Sequence, residues 1–205
     1  LDVAYCASIG RVEVRVWGPR ACLGDLERAA ERIRAAAGPH LYAERSAVME
    51  EVVAEQVLAA QLTLATAESC TGGLVAHRLT NLAGGSAWFM GGVVAYANEA
   101  KVRDLGVSPA ALQEEGAVSA AVAGQMAEGV RARFGTDLGL GVTGIAGPSG
   151  GTASKPVGLV YCAVADARGT VVREHRFAGR RSIIKEWSAQ MALDLVRRRL
   201  AGLAP

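Results

Sequence analysis

Ser69 occupies a position suited to a catalytic nucleophile, at the end of an apolar strand-like run and before a helical one. The segment TLATAESCTGG, residues 63–73, leads from β-type residues through Ser69, Cys70 and Thr71 to the pair Gly72 and Gly73. This order predicts that Ser69 lies between the carboxyl end of a strand and the amino end of a helix. Unpaired backbone N–H groups and the helix dipole can stabilise an oxyanion there. Serine is also a favoured helix N-cap, so a purely structural role stays open.

A second glycine-rich segment, GIAGPSGG (residues 144–151), follows the apolar run LGLGVT. In an open α/β sheet, loops at the carboxyl ends of strands line the ligand crevice, so we expect this loop to converge with the Ser69 turn. Its backbone at Gly144, Ala146 and Gly147 could hold a phosphate, although a plain surface turn fits the pattern equally well. The dinucleotide fingerprint and the P-loop pattern are both missing, which argues against those two classes.

The elements that would position these loops fall into two predicted domains. Residues 1–45 combine two alternating strand-like runs, DVAYCAS and RVEVRVWG, with a helical run and a short candidate strand, LYAE, and so predict a small α+β domain. Residues 46–205 alternate helical and apolar strand patterns and end in what looks like a hairpin and a final helix. Runs such as LGLGV do not alternate, as expected for strands covered on both faces. We therefore predict an α/β fold, a three-layer α/β/α domain with a mixed sheet.

Composition limits the possible functions. The chain has 205 residues, 51% hydrophobic residues and a formal net charge of +2, which favours a well-packed globular protein and requires no polyanionic partner. Its four cysteines lack metal-ligand spacing, so no metal site is predicted. With neither a signal peptide nor a membrane-length apolar run, we expect no membrane association and a cytoplasmic protein. The chain begins at Leu1 within a strand-like run, so we expect an upstream part to be missing.

These segments together resemble the CinA C-terminal family, the nicotinamide-nucleotide amidohydrolases. The resemblance covers residues 47–200 and rests on AESCTGG, SAWFMGGVVAYANEAK, LGV, GAVS, GIAGPSGG, KPVG and, more loosely, FAGRR. It implies hydrolysis of the carboxamide of nicotinamide mononucleotide to nicotinate mononucleotide and ammonia, in pyridine-nucleotide recycling, without a metal or cofactor. The first 45 residues look like the KH-like linker domain of longer CinA proteins. The resemblance thus implies a homodimer and a missing N-terminal nucleotide-pyrophosphatase-type domain.

The resemblance also implies roles for individual residues. Ser69 matches the family's nucleophile, Lys101 the lysine that activates it, and Tyr96 the tyrosine of the same segment. Arg181 matches an arginine suited to the substrate phosphate, although Arg180 and Lys185 depart from the usual pattern nearby. A lysine can act as the base only if burial or nearby positive charge lowers its pKa. The alternative for a lone lysine on a helix is a solvated surface position.

Other residues near Ser69 keep several possible roles. Glu68 could cap the helix, pair with Lys101 or line the pocket, and Thr71 could offer its hydroxyl or its backbone N–H to an oxyanion. Gly72 and Gly73 would let a substrate approach the backbone closely. Asn98 is predicted to cap the helix that carries Lys101. The histidines are poor candidates for the base because of their positions: His40, His77 and His175.

Two further functions compete with amide hydrolysis. One is a non-catalytic nucleotide-binding module that regulates a competence or DNA-damage response; the complete set of Ser69, Lys101 and Tyr96 argues against it. The other is nucleic-acid binding through the KH-like domain. That role is disfavoured because the domain lacks the GxxG loop with which KH modules hold a nucleic-acid backbone.

Overall fold

The computed structural model describes residues 1–204 and separates into two compact units, Leu1–Val48 and the chain from Met49 onward. In the first unit, β1 (Asp2–Ser8) and β2 (Arg11–Trp17) form an antiparallel hairpin, and α1 (Leu23–Ala37) follows. The LYAE segment, residues 41–44, is not a strand, so that prediction is wrong. It follows a 3-10 turn at Gly38–His40, and the sheet of this unit contains β1 and β2 alone among the described residues. The KH-like nature of the unit stays a prediction.

The second unit is built on a five-stranded mixed sheet of β3 (Leu64–Glu68), β4 (Phe89–Val94), β5 (Leu138–Gly144), β6 (Leu159–Asp166) and β7 (Gly169–Arg176). Their spatial order in the sheet is β4-β3-β5-β6-β7. The central strand β3 runs parallel to β4 and β5, whereas β6 and β7 continue the sheet as antiparallel strands. Every residue of β3 is buried, as the non-alternating apolar run predicts.

Helices cover both faces of this sheet, which confirms the predicted three-layer α/β/α architecture. Three helices pack together on one face: α4 (Asn98–Leu105), α5 (Pro109–Glu114) and α6 (Ala120–Phe134). The other face carries α2 (Met49–Ala59), α3 (Leu74–Thr80) and α7 (Arg181–Leu200). The short helix α5 has no counterpart among the predicted elements; it begins with Pro109 in its first turn, a position that suits proline.

Glycines in β5 allow α6 to lie directly on the sheet. A Cβ atom on Gly139 would come within 2.1 Å of the Ala127 carbonyl oxygen, and one on Gly141 within 2.5 Å of the Ala123 carbonyl oxygen. The LGLGV pattern is therefore explained by close helix–sheet contact. In residues 1–204, no helix combines the length and the apolar character needed to cross a membrane.

Candidate active site

Three parallel strands bring the predicted site loops to one edge of the sheet. Because β3, β4 and β5 run in the same direction, their carboxyl ends lie side by side. The main chain beyond β3 stays bonded to both neighbours: the Ser69 N–H donates to the Val142 carbonyl at 2.9 Å, and the Ala95 N–H donates to the Glu68 carbonyl at 2.9 Å. The position of Ser69 is thus fixed by the sheet itself.

A cavity of about 210 Å³ opens at this edge, and it collects most of the predicted site residues. Six of the eleven predicted residues line it: Ser69, Tyr96, Lys101, Gly144, Ala146 and Arg181. Within the described part of the chain, the other five do not: Glu68, Thr71, Gly72, Gly73 and Gly147. Five further residues complete the lining: Cys70, Asn98, Ala117, Val118 and Thr143. Segments from five parts of the chain therefore meet at one cavity.

Lys101 is buried at the cavity wall with its amine held by the main chain. The residue is 1% exposed, and its Nζ donates to the carbonyl oxygens of Ala95 at 3.0 Å and Tyr96 at 3.2 Å. Burial lowers the pKa of Lys101 from its ordinary value, against weaker opposing effects of Cys70 and Glu99. The surface position that is usual for a helix lysine is excluded.

Ser69 lies across the same cavity and does not cap α3. The N-cap of α3 is Gly73, with a φ of 93°, and the turn 69–73 separates Ser69 from the first helical residue. Ser69 is 8% exposed and lines the cavity. Among the hydrogen bonds of residues 1–204, none joins Ser69 Oγ to Lys101 Nζ. The two groups line the same cavity and are not joined by a hydrogen bond within residues 1–204.

Glu68 is the residue that caps α3. Its carboxylate accepts hydrogen bonds from the backbone N–H groups of Gly73 at 3.0 Å, Val75 at 3.1 Å and Ala76 at 2.8 Å, and the residue is 1% exposed. These donors are those that a helix start leaves unpaired. Of the three roles open to Glu68 from the sequence, this geometry favours capping: both carboxylate oxygens are already engaged.

The glycine pair shapes the turn that Glu68 closes. Gly72 and Gly73 have φ values of 64° and 93°, in the left-handed region where glycine is favoured. Thr71 is fully buried, and its hydroxyl has no hydrogen-bond partner within the described structure. These three residues do not line the cavity within the described structure; they form the turn that follows Ser69.

Cys70 places a thiol beside the proposed nucleophile. Burial raises the pKa of this thiol to about 12, although the backbone N–H groups of Cys70 and Thr71 act in the opposite direction. A thiol with such a pKa is almost fully protonated at neutral pH and is a poor nucleophile. Of the two neighbouring side chains, the Cys70 thiol is therefore the less suited to act as a nucleophile.

Arg181 joins two loops at the mouth of the cavity. It is the first residue of α7, and its guanidinium donates to the Gly147 carbonyl oxygen at 2.9 Å and to the Tyr96 hydroxyl at 2.8 Å. Tyr96 is 60% exposed, so its phenol lies at the rim, while its main-chain carbonyl faces Lys101. Gly147 does not line the cavity among the described residues, but its carbonyl oxygen accepts a hydrogen bond from Arg181 at the rim.

Besides Cys70, four lining residues received no binding role from the sequence. Asn98 was predicted to be a helix cap, but the N-cap of α4 is Ala97, and Asn98 is the first helical residue. Ala117 and Val118 belong to the GAVS motif, and Thr143 lies near the carboxyl end of β5. The available signal was their position. The first three lie in motifs on which the resemblance rests, and Thr143 ends the strand-like run before the glycine-rich segment.

The described residues contain no group of three or more potential metal ligands, and none of their histidines lines the cavity. His175 instead stacks on Phe177, with ring centroids 5.5 Å apart. Burial lowers its pKa. Lys101 is thus the basic side chain in the interior of the cavity, with Arg181 at the rim.

Comparison with known proteins places the chain in a family. It is 50% identical to the CinA-like protein of Geobacter sulfurreducens over 98% of its own length and 49% of that protein. It is 47% identical to the CinA-like protein of Acidobacterium capsulatum, again over 98% of this chain and 49% of that one. The chain therefore spans about half the length of the curated relatives it matches.

Solved structures of competence/damage inducible proteins are also similar to this chain. The competence/damage inducible protein CihA of Agrobacterium tumefaciens is 39% identical, with a TM-score of 0.70 over 78% of this chain and 99% of that one. The competence damage-inducible protein A (ComA) of Klebsiella pneumoniae is 35% identical, with a TM-score of 0.72 over 75% of this chain and 95% of that one. The sequence model of the CinA C-terminal domain matches residues 46–200, and the chain belongs to this family.

Proposed function

We propose that this chain is a metal-independent amidohydrolase that converts nicotinamide mononucleotide to nicotinate mononucleotide and ammonia, with Ser69 as the nucleophile and Lys101 as its base. The observation that carries the proposal is the state of Lys101. A lysine that is 1% exposed, with a pKa lowered by burial, lines the same cavity as a serine at a strand end. The choice of substrate rests on the family resemblance.

The two main-chain carbonyls orient the Lys101 amine for proton transfer. A neutral amine has two N–H groups and one lone pair. When both N–H groups donate to the carbonyls of Ala95 and Tyr96, the lone pair remains free to accept a proton. In the proposed first step this lone pair takes the proton of the Ser69 hydroxyl while Oγ bonds to the carboxamide carbon. The contact between the two groups forms when substrate is bound.

The turn after Ser69 leaves two N–H groups for the oxyanion. The N–H of Ser69 donates to Val142, that of Gly72 donates to the Ser69 carbonyl, and that of Gly73 donates to Glu68. The backbone N–H groups of Cys70 and Thr71 are the remaining donors of this turn, and no backbone carbonyl of residues 1–204 accepts from them. We assign them to the oxyanion of the tetrahedral intermediate.

Collapse of the intermediate releases ammonia and completes the cycle. Protonated Lys101 gives its proton to the departing amide nitrogen, the C–N bond breaks, and an ester between Ser69 and the nicotinoyl group remains. Neutral Lys101 then takes a proton from water, which attacks the ester carbon. The proton returns to Ser69 Oγ as nicotinate mononucleotide leaves, so no group is consumed.

The phosphate of the substrate would bind at the mouth of the cavity. A cavity of about 210 Å³ is smaller than the pockets of roughly 300–1,000 Å³ that enclose whole ligands, so part of a mononucleotide must extend beyond it. Arg181 lies at that rim, and a guanidinium binds phosphate oxygens in pairs. The phosphate would take the place of the Tyr96 hydroxyl or the Gly147 carbonyl as its partner.

Product analysis tests the proposal. Purified protein is incubated with nicotinamide mononucleotide, and ammonia and nicotinate mononucleotide are measured together. We expect equal amounts of the two products from the wild type and neither from Lys101→Met, whose unbranched apolar side chain fills a similar space. Tight binding of the nucleotide to the wild type without release of ammonia would instead support the regulatory binding module.

A further inference from the structure

One wall of the cavity is a short irregular segment, residues 115–118, which we call the wall segment. It connects α5 to α6 and supplies two lining residues, Ala117 and Val118. Because it belongs to neither a helix nor a strand, no regular backbone ladder holds it in place. Its stability must come from other contacts.

Side chains bond to all four consecutive carbonyl oxygens of the wall segment. The Ser119 hydroxyl donates to the Gly116 carbonyl at 3.1 Å, and the Thr143 hydroxyl donates to the Ala117 carbonyl at 2.7 Å. The ammonium of Lys155 donates to the two outer carbonyls, those of Glu115 and Val118, the latter at 2.7 Å. The ammonium of a single lysine thus bonds to both ends of the wall segment.

Lys155 is itself held in place by its own loop. Its N–H donates to the Thr152 hydroxyl at 3.0 Å, and its carbonyl accepts from the Thr152 N–H at 2.8 Å. Its ammonium also lies against Gly116, where an added Cβ would be 3.3 Å from Nζ. The ammonium therefore connects the loop that follows the glycine-rich segment to the wall segment, across 37 and 40 positions of sequence.

We propose that Lys155 is a positioning residue that fixes the cavity wall for substrate binding, an inference that rests on the proposed function. Lys155 does not line the cavity among the described residues and bonds to none of Ser69, Lys101 or Arg181. It acts through Ala117 and Val118, which contact the bound nucleotide. This gives a role to the KPVG motif, in which Lys155 is the first residue.

Steady-state kinetics distinguish this role from a catalytic one. For Lys155→Met with nicotinamide mononucleotide, we expect KM to rise at least about 10-fold while kcat stays within about 3-fold, because binding is weakened and the reacting groups are untouched. Lys155→Arg, whose guanidinium can also donate to two carbonyls, should restore most of the loss. Arg103→Met serves as the charge-matched control, since Arg103 is an exposed residue that pairs with Asp104. A fall in kcat with KM unchanged, or no rescue by arginine, would overturn the proposal.

Amide hydrogen exchange gives a second measurement that needs no activity. Loss of the two Lys155 hydrogen bonds should speed exchange at Val122 and Ala123 at least about 10-fold in Lys155→Met, because their N–H groups donate to Ser119, directly after the wall segment; Lys155→Arg and Arg103→Met should stay close to the wild type. Unchanged exchange in Lys155→Met would refute the proposal that Lys155 holds the wall segment in place. Failure of the wild type to release ammonia would refute the proposed function instead, and the exchange result would still decide the role of Lys155.

Discussion

Replacing Glu68 with glutamine tests the capping role assigned to this buried carboxylate. The Glu68 oxygens accept three backbone hydrogen bonds at the start of α3, from Gly73, Val75 and Ala76. A glutamine of the same shape keeps one acceptor oxygen, and its NH₂ group then faces at least one N–H group. The substitution also removes a negative charge from the positive end of the helix.

The expected cost follows from these contacts. Losing a hydrogen bond to a charged group costs about 1.5–3 kcal/mol, and leaving a buried N–H unpaired costs a similar amount, so Glu68→Gln should destabilise the protein by about 2–4 kcal/mol. Urea unfolding followed by circular dichroism measures this difference. The exposed Glu114→Gln in α5 is the control and should change stability by less than about 0.5 kcal/mol.

Kinetics of the same variant separate capping from substrate binding. If Glu68 holds the Ser69 turn, Glu68→Gln should lower kcat and leave KM close to the wild-type value, because the nucleophile is displaced while the binding surface remains. A variant that keeps its stability to within about 1 kcal/mol but shows a raised KM would refute this reasoning. Glu68 would then be a substrate ligand.

Three further predictions concern the site and the fold. If neutral Lys101 is the base, kcat/KM should rise with pH to a midpoint below the pKa of a free lysine, about 10.4, because burial lowers its pKa; a profile without this rise would contradict the assignment. Tyr96→Phe should raise KM more than it lowers kcat but less than Arg181→Met does, and the double variant should resemble Arg181→Met alone, since Tyr96 acts through its hydrogen bond to Arg181; additive losses would separate their roles. Asp166→Asn should cost about 1–2 kcal/mol at pH 7, because the Asp166 carboxylate pairs with Arg199 in a largely buried position. Hydrogen bonds from Arg199 lower the pKa of Asp166, so the stabilisation by this carboxylate is present above pH ~4 and is lost as the pH falls further. Thermal unfolding of the wild type and of Asp166→Asn from pH 7 to pH 2 measures this loss, and a stability difference that does not change with pH would contradict the assignment.

The sequence predicted the placement of the two central groups because simple rules govern them. Ser69 follows an apolar strand, Lys101 lies in the first turns of a helix that follows another, and the carboxyl ends of parallel strands meet. The burial of Lys101 could not be read from its own helix. It depends on the strand-end carbonyls of Ala95 and Tyr96, which close over the amine.

Roles that depend on side-chain direction were beyond the sequence pattern. Glu68 had three possible partners in its neighbourhood, and only the fold of the turn shows that its carboxylate points back to α3. The Lys155 ammonium bonds to carbonyl oxygens 37 and 40 positions away in the sequence, and no local pattern encodes such a contact. The LYAE segment has strand-forming residues, but a strand also needs a neighbour with which to pair.

The most direct test of the central claim compares the rates of ammonia release from nicotinamide mononucleotide by the wild type and by Ser69→Ala. If Ser69 is the nucleophile, loss of its oxygen should lower kcat by at least about 10³-fold, as removal of the nucleophile does in known serine hydrolases. Affinity for the nucleotide, measured by calorimetry, should stay within about 3-fold, because Ser69 contributes little to ground-state binding. If Ser69→Ala keeps more than about a tenth of the wild-type rate, Ser69 is not the nucleophile and the proposed mechanism is wrong.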